Sequence, residues 1–349
     1  MRHGDKVDPQ GGAKLLRLLQ KSSQLKKPTH IVGFTAFDDL RTEFAPLFGE
    51  YLWFIIHYDA SSDLWKHRLE TKLIHVVESK EGRPDRGFGV DIAIITALER
   101  PELAAVLDLD ACWKTLDDPR DDTIYHSGTF SCGDRKLRVV ASAVVDMGMP
   151  AAAAHTMKVI EAFRPRYVAM LGIAAGVKGT PGDVLIADQS WDYAMGKVEN
   201  VAGEVVLSPA PQPILLDYSL KTRFSYFGLS PETLARISGR WKGTINIGSI
   251  ALRIGPLASG PSVVAHRGVV DGLLVNNRKL VGLEMETYAV FVAERFARKP
   301  RPKVMAIKSI CDFADDQKSD EYQNLAAFTS AQYFYEFALA MLIGDADTD

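Results

Sequence analysis

Two stretches near the end of the chain decide the fold, Val281–Glu286 (VGLEME) and Ile310–Asp315 (ICDFAD). Both place carboxylates against apolar sequence. Glu284 and Glu286 lie where a helix is predicted to begin, and Asp312 ends an apolar run. A carboxylate in such a place is costly unless it is paired, hydrogen-bonded or protonated. These acids therefore predict a site whose working groups are carboxyls.

The composition is that of an ordinary globular protein. The chain has 349 residues, of which 47% are hydrophobic and 24% charged, with a formal net charge of -3. This balance gives no electrostatic basis for a nucleic-acid or anionic-membrane partner. No apolar run approaches the roughly 20 residues that a membrane-spanning helix needs, and the first residues do not have the pattern of a signal peptide. We therefore predict a cytoplasmic protein.

The cysteines and histidines do not have the spacing of a metal site. The three cysteines, Cys112, Cys132 and Cys311, are scattered without a CxxC motif, and the eight histidines are dispersed. Scattered cysteines are typical of reduced thiols in the cytosol. We predict neither a metal site nor a cofactor.

Residues 1–87 are predicted to be an extension with its own organisation. A disordered start precedes an amphipathic helix at Ala13–Lys27, and strands and helices then alternate as far as Val77. This small α/β module is predicted to be accessory or regulatory, with a truncated receiver-like unit and an oligomerisation module as the alternatives. The polar stretch Glu81–Gly87 contains glycine and proline and is the predicted linker.

Residues 88–349 are predicted to form one α/β domain, because buried strands alternate with helices. The predicted strands are Val90–Thr96, Val139–Val145, Pro165–Leu171, Gly182–Trp191, Thr244–Leu252, Val281–Leu283 and Val304–Cys311. The predicted helices are Pro101–Leu107, Ala151–Phe163, Glu284–Arg298 and Asp320–Leu342. A glycine turn, Gly172–Gly176 (GIAAG), is expected to let backbone amides approach a ligand or to make a tight turn.

Common catalytic motifs do not account for this domain. It has no Walker loop, no GxGxxG fingerprint and no nucleophile elbow. The remaining candidates are Glu102, Glu284, Glu286 and Asp312, each of which could also serve as a helix cap. Because they lie at the ends of predicted strands, where open α/β sheets bind ligands, together they indicate a pocket.

The segment Val90–Gly344 resembles the nucleoside phosphorylase superfamily, most closely its methylthioadenosine/S-adenosylhomocysteine nucleosidase branch. Four blocks carry the resemblance, namely Ile94–Leu103, Met170–Val177 with Gly182–Val184, Val281–Glu286 and Ile310–Asp315. The resemblance implies a three-layer αβα sandwich around a central mixed sheet. It also implies a homo-oligomer, a dimer or higher, that acts on a small-molecule purine nucleoside or nucleotide.

The resemblance also implies roles for individual residues. Asp312 is expected to hydrogen-bond purine N7, Glu286 to hold the ribose hydroxyls, and Met285 to pack on the sugar. Glu102, with Glu99 as the alternative, is expected to position the attacking water. The base is expected between an aromatic ring and the backbone of the segment Ser259–Val264. The remaining candidates are Ser259, Gly260, Val263, Val264, Cys311 and Phe313 around the base, and Gly172, Ala174, Ala175 and Gly176 in the glycine turn.

The expected reaction is hydrolysis of the N-glycosidic bond of a purine, with adenine favoured. Phosphate-dependent cleavage is the less favoured alternative, because the glycine turn has no arginine. A related architecture occurs in bacterial antiphage defence effectors that resemble nucleosidases and remove adenine from ATP or AMP. A 5'-phosphate would need cations at the pocket mouth, for which Arg253, His266, Arg267 and Lys308 are the candidates. An inactive nucleoside-binding sensor is the non-enzymatic alternative. Two departures from the family pattern, Ala174 or Ala175 in the glycine turn and Cys311 before the aspartate, remove hydrogen-bond donors.

Overall fold

The computed structural model describes residues 2–3, 6–7, 11–21, 31–50, 54–81, 87–118, 121–144, 146–315 and 320–347. The chain divides into two compact units, Met1–Asp85 and Arg86–Asp349. The predicted linker falls largely on residues 82–86, which lie outside the described residues.

The first unit is a small α/β module. Its elements are β1 (Arg2–His3), β2 (Lys6–Val7), α1 (Gly11–Lys21), β3 (Val32–Thr35), α2 (Asp38–Glu50), β4 (Phe54–His57) and α3 (Leu64–Glu81). The parallel strands β3 and β4 are joined through α2, and Leu16, Phe44 and Phe48 form a small core. Strands β1 and β2 lie in the segment that was predicted to be a disordered start, and they pair antiparallel. A backbone ladder can form there because it uses only amides and carbonyls.

The second unit is built on a ten-stranded mixed sheet. Its strands are β5 (Val90–Thr96), β6 (Lys114–Asp118), β7 (Asp121–Cys132), β8 (Arg135–Ala143), β9 (Pro165–Gly176), β10 (Val184–Asp192), β13 (Ile214–Leu215), β14 (Leu252–Ser259), β15 (Gly282–Glu284) and β16 (Lys303–Asp312). Strands β11 (Gly196–Val201) and β12 (Glu204–Pro209) form a separate hairpin. The order in the sheet is β13-β10-β14-β15-β9-β5-β8-β7-β6, and β16 pairs with both β9 and β10.

Five strands of this sheet close into a ring. β16 runs parallel to β9 and antiparallel to β10, β10 runs parallel to β14, and β14 runs parallel to β15. β15 then returns to β9 in the antiparallel sense. The closure brings together the ends of strands that are far apart in the chain.

Helices cover the sheet and give the domain its three layers. They are α4 (Ala104–Leu107), α5 (Met149–Phe163), α6 (Tyr218–Phe227), α7 (Pro231–Arg240), α8 (Arg267–Asn276), α9 (Thr287–Phe296) and α10 (Gln323–Phe337), and further helical turns occupy Glu99–Leu103, Ala338–Leu342 and Ile343–Asp347. α5 packs against α9, and α10 packs against α4 and α7. One large core of aliphatic and aromatic side chains lies between these layers and the sheet. None of the described helices is long and apolar enough to cross a membrane.

The predicted glycine turn is in fact part of a strand. β9 continues without interruption to Gly176 and pairs with both β16 and β15. A Cβ at Gly172 would lie 2.0 Å from Oε1 of Glu102, and one at Gly176 would lie 2.5 Å from Ile310. The glycines are therefore required by close packing, and Gly172 also has a positive φ of 148°.

Three other predicted boundaries differ from the structure. Residues 244–251 are not a strand, because β10 begins at Val184, which pairs with Leu252, so the preceding residues have no strand to pair with. Helix α9 begins at Thr287, because the Glu284 side chain binds backbone amides at the start of the helix instead of lying within it. The helix predicted from Pro101 is instead a short turn at Glu99–Leu103, within which Arg100 is extended, followed directly by α4 (Ala104–Leu107).

Candidate active site

A cavity of about 150 Å³ opens where the strand ends of the ring converge. It is lined by Ala97, Leu98, Glu102, Met147, Ile173, Ala174, Ala175, Tyr193, Ser262, Val263, Val264, Leu283, Glu284, Met285, Glu286, Cys311, Asp312 and Gln323. Four of these side chains are carboxylic acids, and none of the described lining residues is Lys, Arg or His. Acids that are distant in sequence thus share one small space.

Strand register explains why these residues meet. Asp192 of β10 pairs with Ser259 of β14, and Ser259 pairs with Glu284 of β15. On the other side of the ring, Ala175 of β9 pairs with both Leu283 and Asp312. These two sets of residue pairings place the ends of β10, β14, β15 and β16 around one opening.

Glu102 enters the cavity from the turn that follows β5 and is only 2% exposed. Its Oε2 accepts hydrogen bonds from the amides of Ala97 and Leu98, each at 2.8 Å, and its Oε1 accepts one from the amide of Ile173 at 2.8 Å. Three amide donors hold the carboxylate in a single orientation. Glu99, the alternative, is exposed and does not line the cavity.

Asp312 ends β16 and is 8% exposed. Its Oδ1 accepts from the amide of Ala314 at 2.9 Å, and the Cys311 thiol lies 3.3 Å from its Oδ2. The Cys311 thiol also lies 3.5 Å from the carbonyl oxygen of Ala174. Cys311 therefore keeps a weak donor beside Asp312 although the expected serine is missing.

Glu286 lies just before α9 and is 4% exposed. Its Oε1 accepts a hydrogen bond from the amide of Gly148, at the start of α5, at 2.9 Å. Burial raises the pKa of Glu286 to about 7; the charges of Glu284 and Glu102 add to the rise, while Lys308 and the Gly148 amide oppose it. Glu286 is thus a carboxyl that changes charge near neutral pH, and the neighbouring Met285 lines the same cavity.

Glu284 is a capping residue as well as a lining residue. Its Oε2 accepts from the amides of Glu286 at 2.9 Å and Thr287 at 2.8 Å, and its Oε1 accepts from the Ser259 hydroxyl at 2.5 Å. The Ser259 oxygen in turn accepts from the amide of Tyr288 at 2.9 Å. This network joins β14 to the start of α9 and so orients the backbone that carries Glu286.

Lys308 lies beneath the acids and not at the pocket mouth. It is 0% exposed, and its Nζ is 3.8 Å from Oε2 of Glu284. Burial lowers the pKa of Lys308, but the charges of Glu102, Glu284 and Glu286 outweigh burial and raise it overall. Lys308 therefore carries a buried positive charge that partly balances these carboxylates, and its predicted contact with a 5'-phosphate is not supported by its position.

The other three candidate cations are also outside the cavity lining. Arg253 lies near the opposite end of β14, where it pairs with Asp183 at 2.9 Å. His266 accepts from the amide of Gly268 at the start of α8, and Arg267 pairs with Asp271 at 3.1 Å. Each therefore has a local partner outside the cavity lining.

Several predicted pocket residues support the cavity without lining it. Gly172 and Gly176 allow close packing around Glu102 and Ile310, and Ser259 holds Glu284. Gly260 lies against the ring of Tyr193, and Phe313 packs against the main core. The predicted residues that do line the cavity beside the acids are Ala174, Ala175, Val263, Val264, Met285 and Cys311.

Eight lining residues were not among the predicted site residues. Five of them fall within the predicted blocks, namely Ala97, Leu98, Ile173, Ser262 and Leu283, and three fall outside, Met147, Tyr193 and Gln323. Tyr193 directly follows the carboxyl end of β10, and Met147 follows β8 in the turn before α5, so the rule that ligands bind at strand ends could have found both. Gln323 begins α10. No comparable local signal indicates it, because its position depends on how α10 packs.

Within the described part of the chain, no group of three or more His, Cys, Asp or Glu residues is arranged to hold a metal ion. The cavity acids are instead held by backbone amides, a serine hydroxyl and a buried lysine. The absence of a metal and of a cofactor stays a prediction.

Comparison with known proteins agrees with this architecture. An uncharacterised protein of Sinorhizobium fredii, y4jS, is 29% identical over 341 residues, which cover 95% of this chain and 83% of that protein. The ATP nucleosidase Cap17 of Escherichia coli is 23% identical over 220 residues, and the match covers 59% of this chain but only 42% of Cap17.

Among solved structures, the 5'-methylthioadenosine/S-adenosylhomocysteine nucleosidase of Neisseria meningitidis in complex with methylthio-immucillin-A has a similar fold. Its TM-score is 0.53 at 21% identity, and the match covers 72% of this chain and 99% of that one. The family model of the phosphorylase superfamily matches residues 91–341. That match includes all the strands of the ring and every acid in the cavity, and the chain therefore belongs to the phosphorylase superfamily.

Proposed function

We propose that this protein hydrolyses the N-glycosidic bond of a purine nucleoside, releasing the base and a ribosyl product. The observation that carries the proposal is the meeting of Glu102, Glu286 and Asp312 in one cavity. These acids come from three separate parts of the chain, and each is nearly buried. Burying three carboxyls together costs desolvation free energy. A role for these carboxyls in acting on a substrate accounts for that cost.

The chemistry of the reaction assigns a task to each acid. Water attacks C1' of the ribose, the bond between C1' and the purine nitrogen breaks, and its electron pair leaves with the purine. Asp312, at the base end, donates a proton to the departing purine, and Glu102 accepts a proton from the attacking water. Assistance of this kind is worth roughly 10²–10⁴-fold for each group.

Glu286 is assigned to the ribose hydroxyls. Its ionised form accepts hydrogen bonds from both hydroxyls, and these bonds strengthen as positive charge develops on the sugar. Met285 lines the same side and supplies an apolar contact for the ribose. Lys308 lies below these acids and offsets part of their mutual repulsion.

The charge of the cavity favours a substrate with an uncharged 5' group. The described lining residues include four acids and no cation, and Arg253, His266, Arg267 and Lys308 all lie elsewhere. A 5'-phosphate would meet repulsion without a compensating cation among the described lining residues. The same lack of cations favours water over phosphate as the nucleophile.

A second candidate is an adenine-nucleotide nucleosidase of antiphage defence. It is supported by the similarity to Cap17, which is named as an ATP nucleosidase. This chain spans less than half of Cap17, so that similarity covers only part of what the larger protein does. The N-terminal unit would then be the regulatory module.

The test is a substrate panel with purified protein. Adenosine, methylthioadenosine, AMP and ATP are incubated with and without phosphate, and the products are separated by chromatography. Free adenine from the uncharged nucleosides, with a ribosyl product that lacks phosphate, is expected. Release from ATP alone would show the adenine-nucleotide activity of the second candidate, ribose 1-phosphate would identify a phosphorylase, and no turnover of any substrate would favour a sensor.

A further inference from the structure

The cavity combines several acids with one flat ring. Among its described lining residues, Tyr193 is the one aromatic side chain. The family resemblance places an aromatic near the segment Ser259–Val264, but that segment (SGPSVV) contains none. The ring comes instead from the strand beside it, because β10 and β14 pair side by side up to their carboxyl ends.

Tyr193 is held in place by its neighbours in this register. Asp192 pairs with Ser259, so Tyr193 directly follows the last paired position, and its amide donates to the Ser259 carbonyl at 3.0 Å. Its hydroxyl donates to the carbonyl of Ser262 at 3.4 Å. Tyr193 is therefore bonded, through its backbone amide and its hydroxyl, to the segment that was expected to hold the base.

Gly260 provides the space that the ring occupies. A Cβ at Gly260 would lie 1.9 Å from Cζ of Tyr193 and 2.2 Å from its hydroxyl oxygen. Any larger residue at position 260 would force the ring to move, because real Cβ contacts are never this short. Gly260 does not line the cavity, but its lack of a side chain leaves the space that the Tyr193 ring occupies.

We propose that Tyr193 is the stacking surface for the purine base and that Gly260 is the positioning residue that seats its ring. Asp312 and Tyr193 line the same cavity, so the base is recognised at its edge by a carboxyl and on its face by a ring. A neutral phenol suits this role, and burial raises the pKa of Tyr193. The inference rests on the proposed function and identifies a specificity residue for the same site.

The first test is the binding of free adenine by calorimetry. Base–aromatic stacking is worth roughly 1–3 kcal/mol, so Tyr193→Leu is expected to weaken adenine binding about 5- to 150-fold. Tyr193→Phe keeps the ring and is expected to bind within about threefold of wild type. The matched control is Tyr218→Leu, which removes a tyrosine that is 84% exposed and outside the cavity lining.

The second test is a double-mutant cycle between Tyr193 and Gly260. Gly260→Ala is expected to weaken adenine binding because it displaces the ring, and to have little effect once Tyr193 is Leu, since the contact that it disturbs is then gone. Thermal unfolding of each variant checks that the fold persists. A purely structural role would give additive losses and no rescue by Phe.

The outcomes separate this inference from the proposed function. If wild type binds adenine and releases it from nucleosides while Tyr193→Leu binds adenine equally well, stacking is overturned and the hydrolase stands. If Tyr193→Phe loses as much affinity as Tyr193→Leu, the hydroxyl and not the ring is responsible, and stacking is again overturned. If wild type neither binds adenine nor cleaves any purine substrate, both proposals fail together.

Discussion

The two ends of the paired strands β10 and β14 each hold a buried carboxylate network, but of different kinds. At the amino end, Asp183 accepts hydrogen bonds from Thr180 and from the amide of Ala251 and forms an ion pair with Arg253. At the carboxyl end, Glu286 accepts from the amide of Gly148 and borders a cavity. The Asp183 carboxylate is bound by several groups of the protein itself. The Glu286 carboxylate borders the cavity, where it can accept hydrogen bonds from a bound molecule.

This difference distinguishes Asp183 from Glu286. Asp183 is 1% exposed and Glu286 is 4% exposed, so burial alone does not separate them. The partners do, because a buried carboxylate with a cation and several donors needs nothing more. The acids at the cavity end share one buried lysine, and Glu286 has a pKa near 7. Each of the following predictions tests whether the two ends differ in this way.

The largest expected effect is at Asp312. Asp312→Asn keeps the shape of the side chain but removes its transferable proton, so turnover is expected to fall roughly 10²–10⁴-fold. Release of adenine from the best substrate of the panel, followed by chromatography, measures the loss. Asp271→Asn, on an exposed face of α8, is the control and should keep full activity. Wild-type turnover by Asp312→Asn would disprove the assigned mechanism.

The next effect separates Glu102 from Glu99, two glutamates in one turn. Glu102→Gln is expected to lower kcat by roughly 10²–10⁴-fold, because an amide cannot accept the proton of water. Glu99→Gln is the matched control and should leave kcat unchanged, since that residue is exposed and outside the lining. The reverse result would assign the role to Glu99.

A pH profile tests Glu286. Because its pKa is about 7 and its ionised form binds the ribose, kcat/KM is expected to fall about tenfold per pH unit below 7. Glu286→Gln should lower kcat/KM and remove this acid limb. Glu294→Gln, on the helix that follows Glu286 but outside the lining, should keep the limb. An unchanged limb in Glu286→Gln would assign the ionisation to another group.

The raised pKa of Glu286 also makes the stability of the fold depend on pH, and stability falls over the pH range in which activity is expected to rise. Its folded value, about 7, is above the unfolded value of 4.5, so the folded state binds the proton more tightly. Glu286 therefore contributes stability below about pH 4.5, and this contribution is lost as pH rises through 7. Glu286→Gln is expected to gain up to about 3 kcal/mol relative to wild type at pH 8. Melting temperatures at pH 5 and pH 8 measure the difference, and equal shifts at both values would contradict it.

The smallest effect on activity is expected at the other end of the strands. Arg253→Met leaves Asp183 buried without its cation, so the melting temperature should fall while KM for the nucleoside stays within about twofold. Arg267→Gln, which removes an exposed pair, should change neither quantity. If either variant selectively lost ATP cleavage, the substituted arginine would instead be assigned as a 5'-phosphate contact.

Much of the fold follows from local patterns. The strand Val90–Thr96 was predicted with its observed limits, because a short run rich in β-branched residues is typical of a strand that is buried on both faces. The order of strands and helices along residues 88–349 was also largely predictable. The predicted strand at 244–251 was wrong because strand formation needs a partner, and local alternation does not reveal one.

The acids of the site and part of its lining were predictable, but the position of its cation and the source of its aromatic ring were not. Glu286 and Asp312 were found because a carboxylate in an apolar run is conspicuous in sequence. Lys308 lies in a comparable run, yet its burial beneath three glutamates depends on strand pairings over more than a hundred residues. The position of Tyr193 at a strand end could have been recognised, but its place beside Gly260 follows from the register between β10 and β14.

Residue type and short spacing were enough to predict the family, the acids that line the cavity and most of the succession of elements. The tertiary structure alone decided which acids share a cavity, which lysine balances them and which ring lies beside them. The physical reason is that charge and burial are properties of neighbours, and in a closed ring of strands the neighbours are set by pairing between distant segments. The acids of Val281–Glu286 and Ile310–Asp315 become one candidate site only when β15 and β16 both pair with β9.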